Sequence, residues 1–220
     1  MTAGLLPCVE VGPRGQADGT VVWLHGLGAN GHDFEPIVPY LDLPRVRFVF
    51  PHAPLRRVTI NGGMEMPAWY DILTLGREGG EAAADVREGR AQVDTLLRRE
   101  EDRGVTPGRT VVAGFSQGAA LALHAGTRYS KTLAGILVLS GYEVLSQTRE
   151  AEASPANRGT PMLFCHGSQD PVVPVARGLS AVDAHATPER DAQWREFPMA
   201  HEVCDEEIAA VRDWLHARLM

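Results

Sequence analysis

Short apolar stretches, separated by polar or glycine- and proline-rich segments, recur along the whole chain. Six of them are rich in β-branched or aromatic residues and predict buried strands near residues 20–25, 46–50, 109–113, 134–140, 161–166 and 193–197. Two longer stretches carry apolar residues at helical spacing and predict helices over residues 81–102 and 204–218. This alternation predicts an α/β fold with a mostly parallel central sheet and helices on both faces.

The longest stretch without a clear period runs from Arg56 to Gly80. Because ordered loops of this length are uncommon unless they are functional, we expect it to line or cover a substrate site. The chain has 220 residues, enough to bury a large core, and it contains no repeat, linker or low-complexity tract. We therefore expect a single domain over residues 1–220, without a large cap.

The strand near residues 109–113 leads into a tight turn that is followed by a helix-forming run. The turn has the sequence Gly-Phe-Ser-Gln-Gly at residues 114–118, which matches the Gly-x-Ser-x-Gly pattern of a nucleophile elbow. Its glycines let strand and helix pack closely around a sharp bend, which raises the hydroxyl of Ser116 above the sheet beside a helix N-terminus. A serine hydroxyl alone is a poor nucleophile, so this interpretation requires a base and an acid elsewhere.

An acid and then a histidine follow the serine along the chain in the α/β-hydrolase arrangement. Asp170 comes just after the predicted strand 161–166, and His201 lies in a loop after the predicted strand 193–197. A parallel sheet presents its functional groups at these strand ends. We therefore predict that Ser116, Asp170 and His201 form a catalytic triad.

Both partners of the serine have competitors. Asp170 can instead be a turn residue that bonds its own backbone. Asp183 and Asp191 are weaker candidates for the acid because neither follows an apolar strand. Among the eight histidines, only His201 combines the expected chain order with a loop setting.

A second glycine pattern, Gly-x-Gly-x-x-Gly at residues 26–31, directly follows the first long strand. It matches a dinucleotide-binding fingerprint, which also requires an acid at the end of the second strand. Here the second strand ends in Pro-His-Ala-Pro at residues 51–54, so a nicotinamide-dependent oxidoreductase is supported by the glycines alone. In a hydrolase, the same turn directs the backbone N–H of Leu27 at a developing oxyanion, and the N–H of Gln117 supplies the second donor.

At this point several segments together resemble one branch of the α/β-hydrolases, the small carboxylesterases and acyl-protein thioesterases of the phospholipase/carboxylesterase family. The matching segments are residues 24–28 (Leu-His-Gly-Leu-Gly), 50–54 (Phe-Pro-His-Ala-Pro), 66–71 (Met-Pro-Ala-Trp-Tyr-Asp), 114–118, 166–170 (His-Gly-Ser-Gln-Asp) and 201–203 (His-Glu-Val). They cover nearly the whole chain. The stretch from Gly76 to Ala84, rich in glycine and glutamate, is less typical of the family.

The resemblance implies an α/β-hydrolase fold and a serine hydrolase without a cofactor, acting on carboxylic esters or acyl thioesters. It puts Ser116, Asp170 and His201 on the triad, and Leu27 and Gln117 on the oxyanion hole. It also makes Trp69 the best candidate for a substrate-binding residue that touches an acyl chain. Homodimers are common in this family, and the resemblance leaves a monomer and a homodimer open.

The expected activity is that of a carboxylesterase for apolar acyl groups, because the long irregular stretch offers apolar side chains as a lining. The triad serves an acyl-protein thioesterase or lysophospholipase-type enzyme equally well, so this alternative stays open. A non-catalytic binding protein on a hydrolase fold is a more remote alternative. It is opposed by the presence of all three triad residues.

Charge and composition exclude several other classes. The formal net charge of -7 argues against a nucleic-acid partner, which needs a basic surface. No apolar run approaches the roughly 20 residues of a membrane span, so we expect no stable membrane insertion. The N-terminus lacks the pattern of a signal peptide and the three cysteines form no disulfide framework, which together predict a cytoplasmic enzyme. His201-Glu202 begins like a zinc-protease motif, but Asp205 stands where the second histidine is required, and no metal site is predicted.

Overall fold

The computed structural model describes residues 4–74 and 80–220. The strands are β1 (Cys8–Val11), β2 (Gly19–Leu24), β3 (Val46–Pro51), β4 (Leu55–Val58), β5 (Met64–Pro67), β6 (Thr110–Phe115), β7 (Gly135–Leu139), β8 (Met162–Gly167) and β9 (Ala192–Phe197). The α-helices are α1 (Val38–Leu41), α2 (Ala83–Asp102), α3 (Gln117–Arg128), α4 (Arg149–Glu152), α5 (Val175–His185) and α6 (Asp205–Leu219). Among these residues, no helix is long and apolar enough to cross a membrane.

The main sheet has seven strands in the order β1-β3-β2-β6-β7-β8-β9. All its neighbours are parallel except β1, which pairs antiparallel with β3 at the edge. Strands β2, β3, β7 and β8 are buried along their whole length, which explains why their sequences are mostly apolar. This is the mostly parallel sheet that the alternation of strands and helices predicts, and it agrees with the α/β-hydrolase fold that the family resemblance implies.

The chain reverses its direction of travel across the sheet between β2 and β6. From β2 the chain moves outward to β3, whereas from β6 it moves the other way, to β7. In open α/β sheets, ligands bind in the crevice outside the carboxyl ends of the strands at such a switch point. Leu24 at the end of β2 pairs with Gly114 near the end of β6, so the loop after β2 lies beside the turn after β6.

Two apolar layers cover the sheet. One face packs against α2 and α3, with Val86, Val93 and Leu96 of α2 fully buried. The other face packs against α6, through Val211, Trp214 and Leu215. Helix α3 is buried along its whole length because it lies between the sheet and α2. The Ser-containing turn that precedes α3 is therefore held by packing on two sides.

Strand positions and both long helices agree with the sequence-based prediction to within a few residues. The stretch 56–80 differs, because it contains most of the β4–β5 hairpin, in which Arg56 pairs with Met66 and Val58 with Met64. The hairpin escapes prediction because charged residues occupy positions on both faces of its strands. Strand β1 and helix α5 were not predicted either. Residues 75–79 of the stretch lie outside the described residues.

Candidate active site

The turn between β6 and α3 is built around two glycines and one strained serine. A Cβ atom on Gly114 would lie 2.4 Å from the backbone of Gly118, and one on Gly118 would lie 2.3 Å from the carbonyl oxygen of Leu24. Ser116 itself adopts φ 56° and ψ −119°, a conformation that L-residues rarely occupy. Its backbone N–H donates to the carbonyl of Leu139 at 2.9 Å, which anchors the bend to β7.

The three predicted triad residues form one continuous series of hydrogen bonds. His201 Nε2 lies 2.8 Å from Ser116 Oγ, and His201 Nδ1 lies 2.6 Å from Asp170 Oδ2. A carboxylate can only accept, so Nδ1 carries a proton, and Nε2 is left as the acceptor for the serine hydroxyl. The imidazole is therefore oriented to take a proton from Ser116 while Asp170 balances the resulting charge.

Asp170 is held by its own loop. The Asp170 side chain is fully buried, and its second oxygen, Oδ1, accepts from the backbone N–H groups of Val172 and Val173, both at 2.8 Å. The sequence predicted either a turn aspartate or a catalytic acid. The geometry agrees with both, because one oxygen closes the turn and the other faces His201.

Leu27 and Gln117 both line the cavity that holds Ser116. Among the described residues, neither N–H donates a hydrogen bond. Gln117 begins α3, where the first N–H groups of a helix lack internal acceptors. Two free donors beside a serine hydroxyl form an arrangement that can stabilise an oxyanion.

His25 supports this turn from behind. Its Nδ1 lies 2.7 Å from the carbonyl oxygen of Gly26, and its Nε2 accepts from the N–H of Ala53 at 3.1 Å. Burial lowers the pKa of His25, which keeps the ring neutral and preserves this pair of roles. Sequence reasoning gave His25 only a structural or pocket-supporting role, because no pattern reveals which carbonyl its ring contacts.

Trp69 does not line the cavity, contrary to the sequence-based expectation. The side chain is fully buried and its Nε1 donates to the carbonyl of His25 at 2.8 Å. Its backbone N–H donates to Oε1 of Gln117 at 2.9 Å, and Nε2 of Gln117 donates to the carbonyl of Tyr70 at 2.7 Å. An indole with a polar N–H can be buried where that N–H finds an acceptor, and here the acceptor lies beneath the turn that carries Leu27.

A cavity of about 280 Å³ opens beside the serine hydroxyl. Its apolar lining comes from several separate elements and includes Leu27, Ala29, Ile60, Ile72, Phe115, Val172 and Val173. Glu81, Tyr142 and Arg177 add a polar section. Ile60 and Ile72 belong to the stretch 56–80, so its described part does line the site, as the sequence predicted. The polar section was not predicted, because Arg177 belongs to the helix that the sequence did not reveal.

The competing candidates lie in other surroundings. His166 is buried, and its Nε2 lies 2.9 Å from the carbonyl of Val173, where it supports the loop of Asp170. His185 faces Glu143 at 3.2 Å. Asp191 contacts Arg218 at 2.7 Å, at the opposite end of β9 from His201.

Comparison with known proteins gives one consistent family. The sequence pattern of the phospholipase/carboxylesterase family matches residues 8–219. Acyl-protein thioesterase 1 of Gibberella zeae is 34% identical over 231 aligned positions, which cover 100% of this chain and 98% of that protein.

Solved structures agree with this assignment. The crystal structure of Zea mays acyl-protein thioesterase 2 superposes with a TM-score of 0.84 at 30% identity, covering 97% of this chain and 99% of that one. The structure of esterase PE8 gives a TM-score of 0.82 at 29% identity, covering 98% and 99% of the two chains. Sequence, fold and cavity thus lead to the same conclusion, and the chain belongs to the phospholipase/carboxylesterase family of α/β-hydrolases, as a hydrolase of esters or thioesters.

Proposed function

We propose that the chain is a carboxylesterase that hydrolyses esters with apolar acyl groups through an acyl-enzyme intermediate. The observation that carries this proposal is the unbroken series Asp170–His201–Ser116 at an apolar cavity, with contacts of 2.6 and 2.8 Å. In this proposal Ser116 is the nucleophile, His201 the general base and acid, and Asp170 the residue that orients the imidazole. The amides of Leu27 and Gln117 form the oxyanion hole.

In the first half of the reaction, Ser116 Oγ forms a bond with the acyl carbon while its proton passes to His201 Nε2. The carbonyl oxygen becomes an oxyanion that accepts from the two amides, a contribution of about 3 kcal/mol per donor to transition-state stabilisation. The tetrahedral intermediate then collapses and the bond to the alcohol oxygen breaks. His201 donates its proton to that oxygen, so the alcohol leaves neutral and the acyl group stays on Ser116.

In the second half, water takes the place of the alcohol. His201 Nε2 removes a proton from the water as its oxygen attacks the acyl carbon, and the same two amides bind the new oxyanion. The bond to Ser116 Oγ then breaks, the serine recovers its proton from His201, and the carboxylic acid is released. The Phe115 ring packs 4.8 Å from the His201 ring and restricts its movement in both halves.

The size of the cavity supports acyl groups of short to medium length. A methylene group is about the size of a water molecule, which occupies roughly 30 Å³. The cavity volume of about 280 Å³ therefore accommodates about nine such groups. Its lining next to the serine is mostly apolar, which favours uncharged hydrocarbon chains. We therefore expect butyryl to octanoyl esters to be better substrates than palmitoyl esters.

A protein thioesterase is the second candidate, and it rests on the relatives that carry the name acyl-protein thioesterase at 34% and 30% identity. The same nucleophile and oxyanion hole cleave a thioester, with a thiol in place of the alcohol as leaving group. Comparing kcat/KM for an octanoyl ester with that for an S-octanoyl cysteine peptide separates the two. A ratio that favours the peptide by more than tenfold would make the thioesterase the better description.

Labelling with a small fluorophosphonate probe tests the proposal directly. We expect covalent labelling of the parent protein, loss of labelling in Ser116→Ala, and retention in Ser130→Ala, which removes an exposed serine after α3. A folded parent protein that neither labels nor hydrolyses any ester would overturn the proposal, and a binding protein on a hydrolase fold would replace it.

Location and assembly complete the proposal. Cys8, Cys165 and Cys204 are free thiols, as is usual in the reducing cytoplasm, and this supports a cytoplasmic enzyme. The family resemblance allows a monomer or a homodimer, and the molar mass in solution, measured by light scattering, distinguishes them.

A further inference from the structure

Arg177 stands between two cavities. The first is the cavity of about 280 Å³ that holds Ser116. The second has about 210 Å³ and is lined by Tyr142, Glu143, Ser146, Ala176, Arg177, Ser180 and Ala181. Among the residues that the structure describes, only Tyr142 and Arg177 line both cavities, so these two side chains form the partition between them.

The guanidinium of this partition is held on two sides. Its central carbon lies 3.7 Å from the centre of the Tyr142 ring, which gives a stacked cation–π contact. Its Nη2 lies 3.5 Å from Oε1 of Glu81, whose side chain is 4% exposed. Tyr142 is itself fixed by a hydrogen bond of 2.9 Å between its hydroxyl and that of Tyr70, both of which are buried. These contacts hold both side chains of the partition in place. We call the partition formed by Tyr142 and Arg177 the wall.

The position of this arginine runs against the local preference of its helix. Arg177 lies in the first turn of α5, where the helix dipole disfavours a positive charge. Glu81 and the Tyr142 ring compensate for this, and neither belongs to α5. Departures from local rules that need such compensation are typical of functional sites. Arg177 is such a departure, and it also lines the cavity that holds Ser116.

The cavity that the wall closes also has an apolar lining. Val172 and Val173 line the cavity, and the same two residues donate their N–H groups to Asp170. The chain then enters α5, so Arg177 follows the loop of Asp170 by one helical turn. Ile72, Val172 and Val173 line the same cavity as Ser116 and Arg177, so an acyl group on Ser116 has apolar side chains to lie against before it fills the space up to the charged wall.

We propose that Arg177 ends the acyl site and sets the longest acyl chain that the enzyme accommodates. This inference rests on the proposed esterase function and specifies its substrate class as short to medium acyl groups. A longer chain must either leave its end in solvent or displace a guanidinium that is both stacked and ion-paired. Replacing Arg177 by a small residue joins the two cavities, so the acyl site gains the volume of the second.

Hydrolysis of a series of p-nitrophenyl esters, from acetate through butyrate, octanoate and laurate to palmitate, tests this inference. The quantity to compare is the ratio of kcat/KM for laurate to that for butyrate. Burying one methylene group is worth about fourfold in binding. Joining the cavities allows at least two more to be buried, so we expect Arg177→Ala to raise the ratio about tenfold or more. Arg177→Lys keeps a long, positively charged side chain that can pair with Glu81, and it is expected to keep the ratio of the parent.

Two further variants keep the test decisive. Arg177→Ala leaves the buried Glu81 carboxylate without its arginine, which can destabilise the fold. The double variant Arg177→Ala/Glu81→Gln removes that charge and joins the same cavities. Arg87→Ala is the matched control, because Arg87 is an exposed arginine of α2 that pairs with Glu152 and lines neither cavity. Fluorophosphonate labelling shows which variants keep an assembled serine.

The outcomes separate the two proposals. A raised ratio in Arg177→Ala or in the double variant, with Arg177→Lys and Arg87→Ala like the parent, supports the wall. A ratio within twofold of the parent in both the labelled Arg177→Ala and the labelled double variant overturns the wall but leaves the esterase intact. A ratio raised equally in Arg177→Lys also overturns it, since that variant keeps a long side chain and a positive charge at the wall. A parent that neither labels nor hydrolyses any ester overturns the proposed function, and the wall with it.

Discussion

His25 is joined through Nδ1 to the carbonyl of Gly26, at 2.7 Å, and that carbonyl belongs to the same peptide unit as the N–H of Leu27. A peptide unit is planar, so fixing the direction of its C=O also fixes the direction of its N–H. His25 therefore determines where the proposed oxyanion donor points without touching the substrate. The Ala53 N–H at Nε2 makes the arrangement depend on the neutral ring, since a second ring proton would face a donor.

Replacing His25 by alanine should lower kcat by about tenfold to a hundredfold with little change in KM, because an oxyanion donor acts mainly in the transition state. Asparagine can put an amide N–H near the position of Nδ1, so His25→Asn should lose less than His25→Ala. Steady-state kinetics with a butyryl ester check both, and His32→Ala at an exposed histidine is the control. Equal losses of kcat in the two variants would contradict this role.

Asp170→Asn should reduce kcat by about ten-thousand-fold while leaving the loop in place. Its amide oxygen can still accept from Val172 and Val173, but its NH₂ group then faces His201. An amide NH₂ group only donates, so Nδ1 of His201 must be the unprotonated nitrogen in the variant. The proton is then on Nε2, which can no longer act as a base. Ester hydrolysis by the variant measures this, with Asp183→Asn on α5 as the matched control. A loss smaller than tenfold would mean that His201 does not depend on Asp170.

The backbone of Ser116 gives a prediction about stability. An L-residue at φ 56° and ψ −119° costs on the order of 1–3 kcal/mol, whereas glycine avoids this strain but loses about 0.5–1 kcal/mol of unfolded-state entropy. Ser116→Gly should therefore be about 1 kcal/mol more stable than Ser116→Ala, although both are inactive. Denaturant unfolding measures the difference. At Ser180, within helix α5, the order should be reversed, and the same order at both positions would argue against strain at the elbow.

Glu207 should make the protein less stable as the pH rises. Burial raises the pKa of this carboxyl from 4.5 to about 8, and neither of its oxygens has a hydrogen-bond partner among the described residues. Between these values the folded chain keeps a proton that the unfolded chain has released. The free energy of unfolding therefore falls as the pH rises through this window.

The variant Glu207→Gln cannot lose that proton. It should gain stability relative to the parent from about pH 5 to about pH 8, by on the order of a few kcal/mol. Thermal unfolding of both proteins across this range checks the prediction. A difference that stays constant with pH, or that shrinks as the pH rises, would contradict it.

The sequence predicted the sheet and the serine turn well for physical reasons. Buried parallel strands such as β7 and β8 must be continuously apolar, and a sharp strand-to-helix turn must have glycine where a Cβ would overlap the backbone, as at Gly114 and Gly118. Chain order then reduced the candidates for acid and base to Asp170 and His201. Each of these patterns is local or sequential, and so it can be read from one chain.

What the sequence did not reveal depends on contacts between distant segments. Trp69 looked like a residue that contacts substrate, yet its indole is bound to the carbonyl of His25 from another loop. Arg177 carried no pattern at all, because its partners Glu81 and Tyr142 are far away in the sequence. Helix α5 has only 11 residues, and Gly178 and Ser180 within it are weak helix formers, so the sequence did not indicate it.

The double attachment of Gln117 has a consequence for altering this enzyme. Its backbone amide is a proposed oxyanion donor, while its side chain is hydrogen-bonded to the backbone of Trp69 and Tyr70. Ile72, which lines the cavity, follows two residues after Tyr70. Substitutions made in this segment to admit new acyl groups therefore also shift the backbone amide of Gln117. Acyl-group selectivity and turnover are expected to change together. Arg177 approaches the cavity from α5 and is linked to this segment indirectly, through the Tyr142 ring, whose hydroxyl contacts that of Tyr70. Redesign from that side replaces no residue that bonds Gln117 directly, so chain-length preference can change with less effect on the donor.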